Sequence, residues 1–338
     1  MQYRQLGTTG LTVSTVGFSG NSIPRMPVSQ ARILLAGAMA SGINLFDTSS
    51  GCGDSEPRIA SAIKDRRDGV VLAARSRSLA ARQIKSDVLR CCQRLGVDRI
   101  DLYQVAAVHR LPRLDAVLEP GGALDGLMAE RDAGRIGHVG ITGYNCPVLR
   151  EALQRSDAFE AVQFPFNILE DGEPARALLA EAAERGVGVL AAKPLAGGIL
   201  PQPVKALRWI LNQPVSACLV GMVTADEVTA NAAVADHPEP LTPPEEDELH
   251  RQVDVLAETF CRRCMECEPC PQGIPIYRIL ELGRKASLPQ VVGLAREIYD
   301  AMEVRADACA ECGECQDRCP FGLPVIDLLN EAHERLLG

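Results

Sequence analysis

Ile100-Asp101-Leu102-Tyr103-Gln104-Val105 is a short, strand-like run set between two helix-like amphipathic stretches. It decides the fold because the same unit recurs along the chain. Comparable runs fall at 15–19, 43–47, 70–75, 137–142, 158–163, 188–193 and 216–222, each followed by a plausible helix. Strands alternating with helices predict a parallel sheet with crossover connections, and eight such units predict a closed (β/α)8 barrel of the α/β class. Ahead of the first unit, residues 3–6 and 11–13 flank Thr8-Thr9-Gly10 and predict a hairpin laid at the bottom of the barrel.

The alternation stops at His237-Pro238-Glu239-Pro240-Leu241-Thr242-Pro243-Pro244, where closely spaced prolines cannot continue a helix. Two domains are therefore expected, a barrel over 1–236 and a linker with a smaller, mostly helical domain over 237–338. Helices are expected near 245–259, twice within 274–303, and from Val325 onward, and no internal repeat is read. The chain has 338 residues, 46% of them hydrophobic, which is enough to bury a large core. No apolar run reaches the roughly 18 residues that span a bilayer. The opening Met1-Gln2-Tyr3-Arg4 lacks the pattern of a signal peptide, so a cytoplasmic location is expected. A net charge of −9 argues against nucleic-acid or anionic-membrane partners, which need clustered Lys and Arg. A small-molecule substrate and a redox partner protein fit better.

Of 13 cysteines, eight fall in two tight runs. Cys309, Cys312, Cys315 and Cys319-Pro320 have the spacing of a ferredoxin-type ligand run, in which three thiolates hold one cubane and the fourth reaches another. Cys261, Cys264, Cys267 and Cys270-Pro271 form a run one residue shorter. Crossed ligation predicts one [4Fe-4S] cluster on Cys261, Cys264, Cys267 and Cys319, and a second on Cys309, Cys312, Cys315 and Cys270. The competing account is a pair of four-cysteine zinc sites, but these use pairs of cysteines and need no third at the same interval.

Tyr3-Arg4-Gln5-Leu6-Gly7, Gly42-Ile43-Asn44-Leu45-Phe46-Asp47-Thr48, Gly53-Asp54-Ser55-Glu56, Arg94-Leu95-Gly96-Val97-Asp98, Gly134-Arg135-Ile136-Gly137 and Lys193-Pro194-Leu195-Ala196 resemble the aldo-keto reductase family, in its branch with a C-terminal ferredoxin-type domain. The resemblance implies NADPH-dependent carbonyl reduction by an Asp, Tyr, Lys and His at the barrel mouth. Carried over residue by residue, Asp47 keeps the aspartate, whereas Cys52 takes the tyrosine position, Arg75 the lysine and Ala106 the histidine. A positioned general acid contributes about 10²- to 10⁴-fold, so ordinary carbonyl reduction should be crippled. His109, three residues beyond Ala106, is a candidate substitute acid.

The resemblance implies cofactor contacts at Gln163, Asn167, Lys193, Thr224 and Asn231. The Lys-Ser pair and Arg that clamp a 2′-phosphate in the family read here as Gly221-Met222 and Glu227, so NADPH is disfavoured. Thr224-x-x-Glu227 is a capping box, predicting a helix start there. The resulting expectation is an iron-sulfur oxidoreductase with Asp47, Cys52 and Arg75 around a small organic substrate. The alternatives are a nicotinamide-dependent reductase with a substitute acid, and a non-catalytic electron carrier.

Overall fold

A computed structural model describes residues 1–49, 53–288 and 291–338, so Cys52 lies outside the described residues. The described chain divides into two compact units, Met1–His250 and Arg251–Gly338. In the first, β1 (Tyr3–Gln5) and β2 (Thr12–Ser14) form an antiparallel hairpin. There follow β3 (Val16–Ser19), α1 (Val28–Ala40), β4 (Leu45–Asp47), α2 (Ser55–Ile63), β5 (Val71–Ser76), α3 (Ala81–Leu95) and β6 (Ile100–Val105). The second half continues with α4 (Leu111–Leu118), α5 (Ala123–Asp132), β7 (Ile136–Thr142), α6 (Cys146–Arg155), β8 (Ala161–Pro165), α7 (Glu173–Glu184), β9 (Gly188–Ala192), α8 (Pro203–Leu211), β10 (Ala217–Val220) and α9 (Ala225–Asp236). Strands β3 to β10 close into a parallel barrel in chain order, β10 pairing with β3. Each of the eight strand expectations falls on one of these strands.

Period-two alternation sorts the strand residues between the barrel interior and the helix layer. Leu45, Val71, Leu102, Leu190 and Leu219 point inward, and Leu6 and Val13 of the hairpin pack on them, filling the bottom. Each such side chain, fully buried, stabilises the fold by about 1.5–3 kcal/mol. The register that sets Ala73 beside Leu102 sets Arg75 beside Gln104 on the same inner face, one pleat nearer the C-terminal mouth. Alternation thus carries the interior from an apolar floor to a polar mouth. The first unit runs on past the proline-rich stretch into α10 (Pro243–Ala257), where Glu245 meets Arg208 at 2.7 Å and Glu248 meets Lys205 at 2.7 Å.

The second unit holds α11 (Ile276–Lys285), α12 (Val292–Asp300), the one-turn α13 (Glu314–Asp317) and α14 (Val325–Leu337). Ile279, Tyr299, Leu329 and Leu336 lie in its core. The absence of an internal repeat is corrected here. Cys270-Pro271-Gln272-Gly273-Ile274-Pro275-Ile276 and Cys319-Pro320-Phe321-Gly322-Leu323-Pro324-Val325 are two copies of one motif. In both the glycine is left-handed, at φ 73° and 61°, and its N–H bonds the cysteine carbonyl at 2.9 and 3.1 Å. In both the proline caps the following helix at nearly the same dihedrals, φ −79° and −75°. The two helices then pack so closely that a Cβ on Gly283 would lie 2.4 Å from that of Ala332. Only glycine permits that approach.

Candidate active site and candidate metal centre

Asp47 ends β4 at the mouth, 1% exposed, and forms an ion pair with Arg75. Burial raises the Asp47 carboxyl above its ordinary range, and the guanidinium opposes that shift. The pair is therefore mutually dependent, since a buried carboxylate keeps its charge only beside a cation. Beside Arg75 on the same face, Gln104 Nε2 donates to Gln163 Oε1 at 2.7 Å. Gln163 thus has one end of its amide committed inside the barrel.

Ala106, buried just beyond β6, offers a methyl group where the resemblance implies a histidine. His109 lies on the same loop and stacks on Tyr144, ring centroids 4.8 Å apart. Its Nδ1 accepts the Tyr144 N–H at 3.0 Å, so in the neutral ring the proton sits on Nε2. Burial, then the charges of Arg77, Arg113 and Arg110, lower its pKa to about 4. At neutral pH this ring can donate a hydrogen bond but carries no extra proton to release. The Lys193 ammonium lies 5.4 Å from the centroid of the Tyr144 ring. Tyr144 was not singled out from sequence, because an aromatic after a strand carries no signal until its neighbours are known.

The segment implied to hold a dinucleotide is largely satisfied by itself. Asn167 donates to Glu170 Oε2 at 2.5 Å and to the Lys193 carbonyl at 3.0 Å, and accepts the Leu169 N–H at 2.9 Å. Its amide holds two loops together. Thr224 Oγ1 accepts the Glu227 N–H at 3.2 Å, completing the expected capping box at the start of α9. Glu227 Oε2 accepts from Val223 N at 2.6 Å and Thr224 N at 3.2 Å. A carboxylate therefore already sits against the two amides that lead into this helix start, where a phosphate would bring a second negative charge. Asn231 sits on the buried side of α9, 9% exposed.

In the second unit, both cysteine runs adopt one backbone course. The residues on either side of the second cysteine are left-handed in each, Arg263 and Met265 at φ 60° and 64°, Glu311 and Gly313 at 51° and 82°. Arg263 N–H points at Cys261 Sγ and Glu311 N–H at Cys309 Sγ, each at 3.4 Å. Holding Arg263, Met265 and Glu311 in this region costs on the order of 1 kcal/mol each, which persists only where the surroundings demand it. Cys270 lines one cavity with Cys309, Cys312 and Cys315, closed by Ile274 and Ile276. Burial pushes Cys264 up to about 11, and the neighbouring thiols Cys261 and Cys319 push it the same way. Burial likewise pushes Cys267 up to about 12, with Cys261 and Cys264 adding to it. Among the described residues, no group of three or more Cys, His, Asp or Glu side chains is placed so as to hold a metal ion.

The comparison with protein families matches residues 11–205, more than half of the 338, to the aldo/keto reductase family. The chain belongs to that family. Among curated relatives, an L-galactose dehydrogenase of Arabidopsis thaliana is 25% identical over 290 residues, covering 71% of this chain and 90% of that one. An NADH-specific methylglyoxal reductase of Escherichia coli is 26% identical, covering 58% of this chain and 68% of that one. A Pseudomonas aeruginosa structure described as an aldo-keto reductase superposes with a TM-score of 0.62 at 27% identity, covering 70% of this chain and 94% of that one. The chain is thus an oxidoreductase on an aldo/keto reductase barrel. Both cysteine runs lie beyond the matched residues.

Proposed function

We propose that this chain is an iron-sulfur oxidoreductase that acts on a small organic substrate at its barrel mouth. One [4Fe-4S] cluster is assigned to Cys261, Cys264, Cys267 and Cys319, and the other to Cys270, Cys309, Cys312 and Cys315. The observation that carries this reading is the duplicated cysteine loop, with three non-glycine residues in left-handed backbone and the last cysteine of one copy lining a cavity with the first three of the other. The donor set fits, because four thiolates are what a cubane requires and N–H groups aimed at sulfur favour its charged form. A single tetrahedral zinc, with bonds of about 2.3 Å, draws its sulfurs closer than a four-iron cube does. When bound, the clusters would supply single electrons, two of which with two protons complete a two-electron change in the substrate. A low-potential one-electron protein would be the redox partner.

The nicotinamide cofactor used in the family does not fit equally well. The Glu227 carboxylate occupies the Val223 and Thr224 amides, and a phosphate brought there would meet its charge. The tetrad implied by family resemblance is degenerate, with Arg75 and Ala106 in place of lysine and histidine and Cys52 in place of tyrosine. What remains can bind and orient. Arg75 pairs with Asp47 and opposes the upward shift of its carboxyl, and His109 Nε2–H can donate a hydrogen bond.

Anaerobic preparation followed by iron and sulfide analysis and electron paramagnetic resonance (EPR) tests the reading. The expected result is about eight iron per chain and two interacting S = 1/2 signals on reduction. Colourless, zinc-loaded protein refutes it. Saturable NADH binding with turnover of a simple aldehyde by cluster-free protein would favour a nicotinamide-dependent reductase instead.

A further inference from the structure

The two cysteine loops are near copies that differ in charge at two adjacent positions, where Arg262 stands against Ala310 and, with the larger contrast, Arg263 against Glu311. Aligned on the internal repeat, the residue before the second cysteine is Arg263 in one loop and Glu311 in the other. Both hold the left-handed backbone that glycine would adopt freely, so each copy keeps a charged side chain where the backbone alone would favour none. Their side chains differ in setting. Arg263 is 2% exposed, its Nη1 bonding the Cys261 carbonyl at 3.4 Å and its guanidinium 5.4 Å from the Phe260 ring centroid. Arg284 lies over the same ring at 4.7 Å, and both cations act on the Cys261 thiol. Glu311 and the neighbouring Cys312 are exposed.

We infer that Arg263, backed by Arg284, raises the reduction potential of the cluster held by Cys261, Cys264, Cys267 and Cys319 above that of its twin, so that an electron entering at the exposed Cys312 edge comes to rest beside Arg263. This deepens the proposed function and rests on it. Four thiolates around a 2+ core carry a net charge of −2, and taking up one electron makes it −3, with the core falling to 1+. A fixed cation close by favours the more negative state, and an anion opposes it. The remaining acidic positions occur in both copies, Glu266 with Glu314 and Glu268 with Asp317, and so cancel in the comparison. Arg318 of the second loop is tied to Glu314 at 3.3 Å and to the Pro269 carbonyl at 3.1 Å, which offsets its charge. Water near Cys312 works the other way, stabilising a reduced second cluster. The guanidinium outweighs it because a buried charge is little screened.

The test is an EPR-monitored dithionite titration of the full chain, prepared anaerobically with its iron content measured first. Wild type should give two midpoints. Arg263→Gln should lower the higher one by about tenfold in reduction equilibrium constant, which is about 59 mV for one electron, and leave the other in place. Arg263→Lys should restore most of the shift. Should Arg263→Gln fail to hold its cluster, Glu311→Arg at an exposed position decides the matter, since it should move the lower midpoint upward. Iron-replete protein whose midpoints coincide, or stay put in these variants, overturns this inference alone. Zinc in place of iron removes the proposed function with it.

Discussion

Replacing Arg75 by Met leaves Asp47, 1% exposed, without its guanidinium while keeping most of the side-chain volume. The fold then either keeps a buried charge alone or lets the carboxyl take a proton, and burial favours the proton. Holding that proton against an unfolded pKa of about 3.9 costs about 1.36 kcal/mol per pH unit, or roughly 4 kcal/mol at pH 7 and roughly 1.5 at pH 5. These are upper figures, because burial already raises Asp47 in the wild type. The sign follows from that direction. A carboxyl raised in the folded state contributes most below its unfolded pKa, and the contribution is lost as pH climbs toward the folded pKa. The variant should therefore lose up to about 2–3 kcal/mol more at pH 7 than at pH 5. Urea unfolding followed by fluorescence of Trp209, the only tryptophan, reports on the barrel by itself because the side chain is buried on α8. Equal losses at the two pH values, or a loss below about 1 kcal/mol at pH 7, would refute the reasoning.

The His109 ring should stay neutral from pH 8 down to about 5, with its NMR midpoint near 4. Its contribution to stability is present above its ordinary value of about 6.5 and lost as pH falls through about 4, so a midpoint near 6.5 would contradict the Tyr144 hydrogen bond and stack. Glu227→Gln should bind NADPH more tightly than wild type by about tenfold in a fluorescence titration, since it removes the charge on the helix-start amides; unchanged affinity would absolve Glu227. Cys270→Ser and Cys309→Ser should each abolish the same EPR signal, and Cys319→Ser the other one; loss of a common signal by Cys309→Ser and Cys319→Ser would disprove crossed ligation. Gly283→Ala should destabilise the second unit by about 1–3 kcal/mol in thermal unfolding, because its methyl would overlap Ala332.

Eight strands were legible because each is a short apolar run bounded by amphipathic helices, as in Ile100–Val105, which is buried at all but one of its positions. The cysteine runs stand out in the letters because their spacing is also local. The internal repeat was equally present in the letters, as Cys-Pro-x-Gly followed by an apolar residue and Pro in both copies. One extra residue before the last cysteine of the second run puts the two copies out of register, which masks the repeat that follows. Tyr144 and Gln104 had no such signal, since their roles arise from partners on other strands.

Composition and local pattern therefore determined the barrel and the helical tail, for the physical reason that periodicity and proline breaks act over a few residues. Tertiary structure decided which charges are buried and what they face. Asp47 depends on Arg75 from the next strand, His109 is held neutral first by burial and then by the charges of Arg77, Arg113 and Arg110, and Glu227 occupies its own helix start. Arg263 and Glu311 look interchangeable as loop residues, and only packing buries the first while leaving the second in water. Desolvation and electrostatics depend on distance in space, which no local pattern encodes.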